Sequence, residues 1–346
     1  MYASIWIWIN SIKYLLPMIE GHGDDAYRYI DGIKSDFSSN ICPAPLSASD
    51  GGRSALMAHL MARGQQLLGH YPEPEAWSLE RLLAEHHGID PACVIVTSGA
   101  TDAIYLVAQT FRYQPVIPVP TFSEYEDACS LFPSNSLTST CCWLCNPNNP
   151  TGAVYSMDYI NRQCAQHTLV VIDQSYEHYT SQPVLSPKEM LLPNVIQLHS
   201  MTKTYAVPGL RLGYIIAPIR LTDAIRRYMR PWSVSSLAVE AGKFLLEHDD
   251  MLRVHPDLAE AQRLWHALNA IPALEVLPTQ TNFMLCRIKG DVTAAALKDH
   301  LARRYGMLIR DASNFRSLTP QHFRVAAQLP SENDALVRAI KDFLHA

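Results

Sequence analysis

Lys203 sits among hydroxyl side chains, in the run Ser200-Met201-Thr202-Lys203-Thr204, and Arg211 follows eight residues later. A lysine after an apolar run is ordinarily a solvated surface group. This one has hydroxyls three and one residues before it and a guanidinium behind it. These groups could converge on one phosphate, because hydroxyl and charge-assisted hydrogen bonds are what anchor that group. Three other stretches invite chemistry. Asn146-Pro147-Asn148-Asn149-Pro150-Thr151-Gly152 directly follows an apolar run and reads as a proline-rich turn. Asp173 ends the run Val170-Val171-Ile172 and leads into Gln174-Ser175-Tyr176. A carboxylate there is costly unless it caps a helix or meets a cationic ligand. Thr97-Ser98-Gly99-Ala100-Thr101-Asp102 puts small residues where a strand hands over to a helix, whose free N–H groups suit an anion.

The elements that must position these groups are short apolar runs alternating with helical patterns between about 55 and 229. The runs cover 94–97, 116–119, 142–145, 169–172, 195–198 and 213–217. Such Val/Ile/Leu-rich runs fit strands buried on both faces of a mainly parallel sheet, with ligands at the carboxyl ends of the strands. From 235 the pattern changes to helical stretches at 237–248 and 258–269, an apolar run at 282–287, a helix near 293–304, two short runs and a final helix. That predicts a second, α+β unit. At 346 residues, a large domain with a smaller one attached is the natural division. The expected boundaries are 1–17 as a non-native or disordered leader, 18–45 as a segment joining the small domain, 46–234 as the large domain and 235–346 as the small one. Residues 36–45 read as an extended crossing segment.

The leader is apolar, but it is short of the roughly twenty residues that span a bilayer. It also lacks a basic flank or a cleavage site, so Met18 is the candidate start and no membrane partner is expected. With 48% hydrophobic and 18% charged residues and a net charge of -5, the composition is that of a soluble globular protein without a nucleic-acid signature. The eight cysteines read as reduced, buried thiols in a cytoplasmic setting. Cys141, Cys142 and Cys145 have no second pair at zinc-site spacing, and no metal is expected.

In this order and spacing the four stretches resemble the class I/II aminotransferases of pyridoxal-phosphate (PLP) fold type I, from about His22 to the C-terminus. The resemblance implies an α/β PLP-dependent transferase fold. Its large domain has a mainly parallel mixed sheet flanked by helices, its smaller domain is α+β, and its cofactor is pyridoxal 5'-phosphate. Lys203 matches the Schiff-base lysine, and Asp173 the carboxylate that pairs with the pyridine nitrogen and keeps it protonated. Tyr176 and Asn149 match the residues that hydrogen-bond the cofactor O3′, and Phe122, in Pro120-Thr121-Phe122, matches the aromatic that stacks on the ring. Ala100, Thr101, Ser200, Thr202 and Arg211 would form the phosphate cup. Tyr71 matches the tyrosine that reaches the phosphate of the neighbouring subunit, which implies a homodimer. Arg324, in His322-Phe323-Arg324-Val325, matches the arginine that grips the substrate α-carboxylate. Lys203, Asp173 and Tyr176 are thereby the expected catalytic residues.

Three further segments, His22-Gly23, Asp36-Phe37-Ser38-Ser39-Asn40 and Arg310-Asp311-Ala312-Ser313-Asn314-Phe315, look like the threonine-phosphate decarboxylase branch, with histidinol-phosphate aminotransferases as its close relatives. The implied substrate is a phosphorylated amino acid or amine. Arg310 and Arg324 would serve as two cationic forks, and His22 and Asn149 would assist in substrate binding. The sequence departs from this branch in two places. Asp24 and Asp25 follow His22-Gly23 where the family has a second glycine, so acids stand where a phosphate approaches and oppose it unless they point away. The stretch 122–145 is short for the family, so the hairpin or helix within it is expected to be trimmed. Related domains also serve as ligand sensors in transcription regulators, but about twenty residues before His22 are too few for an appended DNA-binding domain.

Overall fold

A computed structural model describes residues 23–29, 32–42 and 52–345. The branched aliphatic runs become strands because Val and Ile pack well on a pleated surface covered on both sides. They are β2 (Val94–Thr97), β3 (Gln114–Val116), β4 (Thr140–Cys145), β5 (Leu169–Asp173), β6 (Val195–His199) and β7 (Gly213–Ile216). Every residue of β2, β5, β6 and β7 is buried. Each fully buried aliphatic side chain there contributes about 1.5–3 kcal/mol. The strand order is β2-β7-β6-β5-β4-β3, with β7 antiparallel to both neighbours and the remaining pairs parallel. The sheet is thus mixed and mainly parallel. The run expected at 116–119 forms its strand earlier, at Gln114–Val116, because Pro118 and Pro120 leave the following stretch without the N–H groups a ladder needs. The connection from 122 to β4 carries one short helix, Glu124–Leu131.

The second sheet is antiparallel, in the order β11-β12-β9-β8, from β8 (Leu274–Val276), β9 (Phe283–Ile288), β11 (Arg310–Asp311) and β12 (His322–Ala326). Helices Leu258–Asn269, Ala294–Tyr305 and Pro330–Leu344 supply Leu264, Leu297, Leu301 and Leu336 to its core. The N-terminal segment joins this unit. β1 (Ser35–Asp36) pairs parallel with β10 (Met307–Leu308), and Phe37 is fully buried in the same core. Helix Ser236–Glu247, which the sequence assigns to the C-terminal unit, instead packs Ala238, Val239, Ala241 and Leu245 with Leu79, Leu83 and Leu212 against the large sheet. No helix among the described residues is long and apolar enough to cross a membrane. Six of the eight cysteines are buried.

Candidate active site

Parallel pairing places the carboxyl ends of β4, β5 and β6 side by side, with Cys145 opposite Asp173 and Asp173 opposite Leu198. Asp173 is 4% exposed, so its carboxylate needs partners. Oδ1 accepts from the Ser175 N–H at 2.9 Å and Oδ2 from the Tyr125 hydroxyl at 2.7 Å. Burial, reinforced by the Asp173 charge, pushes the Tyr125 phenol well above its ordinary range and keeps it a donor. Tyr125 stacks on Trp143 at 5.6 Å and meets Phe122 edge-on at 5.8 Å. Sequence reasoning missed Tyr125. The available signal was its place in the first turn of the helix Glu124–Leu131, three residues after Phe122.

β6 runs through Ser200 into the single helical turn Met201–Thr204, which lifts Lys203 over the end of the sheet. Its ammonium donates to the Ser39 carbonyl at 2.8 Å and lies 5.7 Å from the Tyr176 ring centroid. Burial, then the charges of Arg324 and Arg211, lower the Lys203 pKa to about 7. Tyr176 lies in the turn after β5, and its hydroxyl accepts from Asn40 Nδ2 at 3.3 Å. Burial pushes this phenol up to about 12.

The third cluster lies at the start of helix Gly99–Phe111. Gly99 has φ +84°, and a Cβ there would stand 2.7 Å from Arg211 Nη2, so only glycine lets the guanidinium close on the helix start. Ala100 and Thr101 follow it, and Ser200 Oγ and Thr202 Oγ1 lie 2.7 Å apart beside them, all facing one cavity.

Across the cavity, Arg310 and Arg324 are direct cross-strand partners on β11 and β12, 5% and 4% exposed. Like charges in that register are destabilising. Arg324 donates to Asn149 Oδ1 and the Ser38 carbonyl, while its buried Nε has no hydrogen-bond partner among the described residues. Arg310 donates to the Asp311 carbonyl and, at 2.7 Å, to Asn314 Oδ1. Burial and the neighbouring Arg324 lower the Arg310 pKa to about 10.

One cavity of about 270 Å³ gathers these groups. Its lining includes Lys203, Asp173, Tyr176, Asn149, Phe122, Ala100, Thr101, Ser200, Thr202, Arg211, Arg310 and Arg324. Four cations face it against two carboxylates, Asp24 and Asp173, which favours an anionic occupant. Tyr71 is not in the lining; it is 83% exposed and packs on Trp232 at 5.3 Å. His22 and the 1–17 leader lie outside the described residues.

The family model for aminotransferase class I and II matches residues 132–340. The putative threonine-phosphate decarboxylase of Caldanaerobacter subterraneus is 30% identical over 310 residues, covering 79% of this chain and 83% of that one. A histidinol-phosphate aminotransferase of Desulfitobacterium hafniense is 27% identical over 319 residues, covering 81% and 87%. Among solved structures, L-threonine-O-3-phosphate decarboxylase from Porphyromonas gingivalis superposes with a TM-score of 0.83 at 35% identity, covering 90% of this chain and 100% of that one. The mixed sheet with its C-terminal α+β unit is the fold type I arrangement, and the chain belongs to the class I and II aminotransferase family.

Proposed function

We propose that this protein is a pyridoxal-5'-phosphate enzyme that decarboxylates O-phospho-L-threonine. The observation that carries the reading is the cavity's charge: a buried Arg310–Arg324 pair faces the half-buried Lys203 and the buried Asp173, so an anionic amino acid meets both. The residues fit the cofactor. The start of helix Gly99–Phe111 is open beside Arg211 and the Ser200 and Thr202 hydroxyls, a set suited to a phosphate. Asp173 is oriented by two donors, ready to face a protonated ring nitrogen.

When bound, the cofactor supplies an electron-accepting ring that takes up the electron pair left as a bond to the substrate Cα breaks. Lys203 would hold its aldehyde carbon through Nζ, and the lowered pKa leaves a large share of that amine neutral and nucleophilic near pH 7. The released Lys203 amine would then carry a proton to or from Cα. Asp173 would hold the proton on the ring nitrogen. Tyr176, a phenol up to about pH 12, and Asn149 would hydrogen-bond O3′, and Phe122 would pack on the ring. Arg324 would clamp one anionic end of the substrate, with its unpartnered Nε as a further donor, and Arg310 the other. Fixing both ends sets which Cα bond stands perpendicular to the ring, and hence which bond breaks.

A homodimer completes the reading. Helix Gly52–Gly69 exposes Met57, Met61 and Leu68, and Tyr71 and Trp232 lie exposed nearby; a second copy would cover this face and lend its Tyr71 to the phosphate. The burial of six cysteine thiols supports a reducing, cytoplasmic setting. An absorbance spectrum with PLP, taken before and after adding O-phosphothreonine with carbon dioxide detection, tests the reading. A visible band that shifts with gas release is expected. A band that shifts with histidinol phosphate and passes its amino group to 2-oxoglutarate instead would replace decarboxylation by transamination.

A further inference from the structure

The two carboxylates after Gly23 face different ways. Asp25 is buried against helix Ala294–Tyr305, where it receives Lys298 Nζ at 2.6 Å and lies 3.6 Å from Arg28. Asp24 lines the cavity. The backbone fixes it there. Its N–H donates to Ser38 Oγ at 2.8 Å, and the Ser38 N–H and hydroxyl both donate to Asp36 Oδ1 at 2.6 Å. A Cβ on Gly23 would come within 2.5 Å of the Ser38 carbonyl oxygen, so the turn is pressed against that strand exit. Asp24 itself has φ +59°, the left-handed region that aspartate visits more readily than most residues. Asp24, itself exposed to solvent, thus lines the cavity with Lys203, Arg211, Arg310 and Arg324, on the N-terminal wall beside Ser38 and Ser39.

We propose that Asp24 is a specificity-determining residue that admits the substrate phosphate as its monoanion, accepting a hydrogen bond from the P–OH and repelling the dianion. This rests on the reading of a phosphorylated amino acid as substrate. A phosphate monoester loses its second proton near pH 6, so both forms are present in the working range. The monoanion keeps a hydroxyl donor that a carboxylate can accept, whereas the dianion offers acceptors alone. A full negative charge within about 5 Å of Asp24 in a partly desolvated cavity weakens binding about tenfold or more. The other charges acting on Asp24 are Asp36 from β1 and the adjacent Asp25, which oppose its ionisation together with burial, and Lys203, which favours it. Arg310 attracts both phosphate forms, the dianion more strongly, so the contribution of Asp24 is read as the ratio of wild type to variants that lack its charge.

The test is stopped-flow titration of the PLP-loaded enzyme, whose visible band reports substrate Kd ahead of turnover, between pH 6 and 8.5. O-phosphothreonine is compared with O-sulfothreonine, a permanent monoanion without the hydroxyl, in wild type, Asp24→Asn and Asp24→Gly. The Kd of wild type relative to Asp24→Asn is expected to rise about tenfold across this interval for the phosphate and to stay level for the sulfate. Asp24→Gly, which suits the left-handed backbone, is expected to match Asp24→Asn. A level ratio for the phosphate, an equal rise for the sulfate, or opposite behaviour of the two variants overturns the proposal. If O-phosphothreonine shifts the band in none of the three proteins, the substrate reading falls and takes this inference with it.

Discussion

The sheet wall of the cavity, with Asp173, Lys203 and the helix start at Gly99, hangs from strands buried at every residue. The opposite wall is assembled from Gly23, Asp24, Ser38 and Ser39 and from the short strands β11 and β12 of the C-terminal sheet. Charge is handled differently on the two. Asp173 has both oxygens engaged by fixed donors, one of them the fully buried Tyr125. Arg310 and Arg324 are cross-strand neighbours of like sign, and among the described residues Arg324 donates only to neutral acceptors. A group that stays bound suits the first arrangement, because its partners are already oriented and no reorganisation is needed. The second leaves repulsion that an incoming anion relieves, which suits a substrate that arrives and leaves.

Removing the centre of the sheet wall gives the largest expected effect. Lys203→Ala takes away the amine without opening a large core void, so turnover should fall about 10⁴-fold or more while far-UV circular dichroism stays native. Retention of turnover would end the assignment of that wall. Arg324→Ala attacks the other wall and should cost about a hundredfold in kcat/KM, chiefly through KM, with the cofactor's absorbance band preserved. A lost band with unchanged KM would mean the two walls have been given the wrong roles.

The pH dependence sharpens the link between them, since Arg324 helps lower the Lys203 pKa. With that pKa about 7, the rate at which PLP-free protein captures PLP should drop about tenfold per unit as pH falls below 7, because the ammonium is not nucleophilic. It should level off above about 8. In Arg324→Ala the loss of a neighbouring positive charge raises the Lys203 pKa, so the profile moves to higher pH. Tyr125→Phe is the mildest change. It deletes one donor to Asp173 from a packed site and should lower kcat about tenfold with KM little altered, a split that steady-state kinetics reads directly.

Five of the six strands of the large sheet were legible to within two residues because burial on both faces demands unbroken aliphatic runs, whereas the edge strand Gln114–Val116, largely exposed, was displaced from its expected place. Val94–Thr97 and Leu258–Asn269 fall where periodicity puts them. The residues of the sheet wall were legible for the same reason: they lie at fixed places just after such runs. Helix Ser236–Glu247 was not, since an amphipathic pattern shows that a helix has an apolar side and does not name the core that receives it. Tyr125 escaped because its partner, Asp173, is 48 residues away in the chain.

The sequence by itself determined the family, the lysine–aspartate pair and the order of elements that carry them, because these depend on residue type and local spacing. Only the tertiary structure decided that Arg310 lies opposite Arg324, that Asp25 is buried against Lys298 while Asp24 lines the cavity, and that Tyr71 stands away from its own chain's cavity. Those outcomes depend on strand register and on which way a side chain leaves the backbone, and both are fixed by packing between segments far apart in the chain.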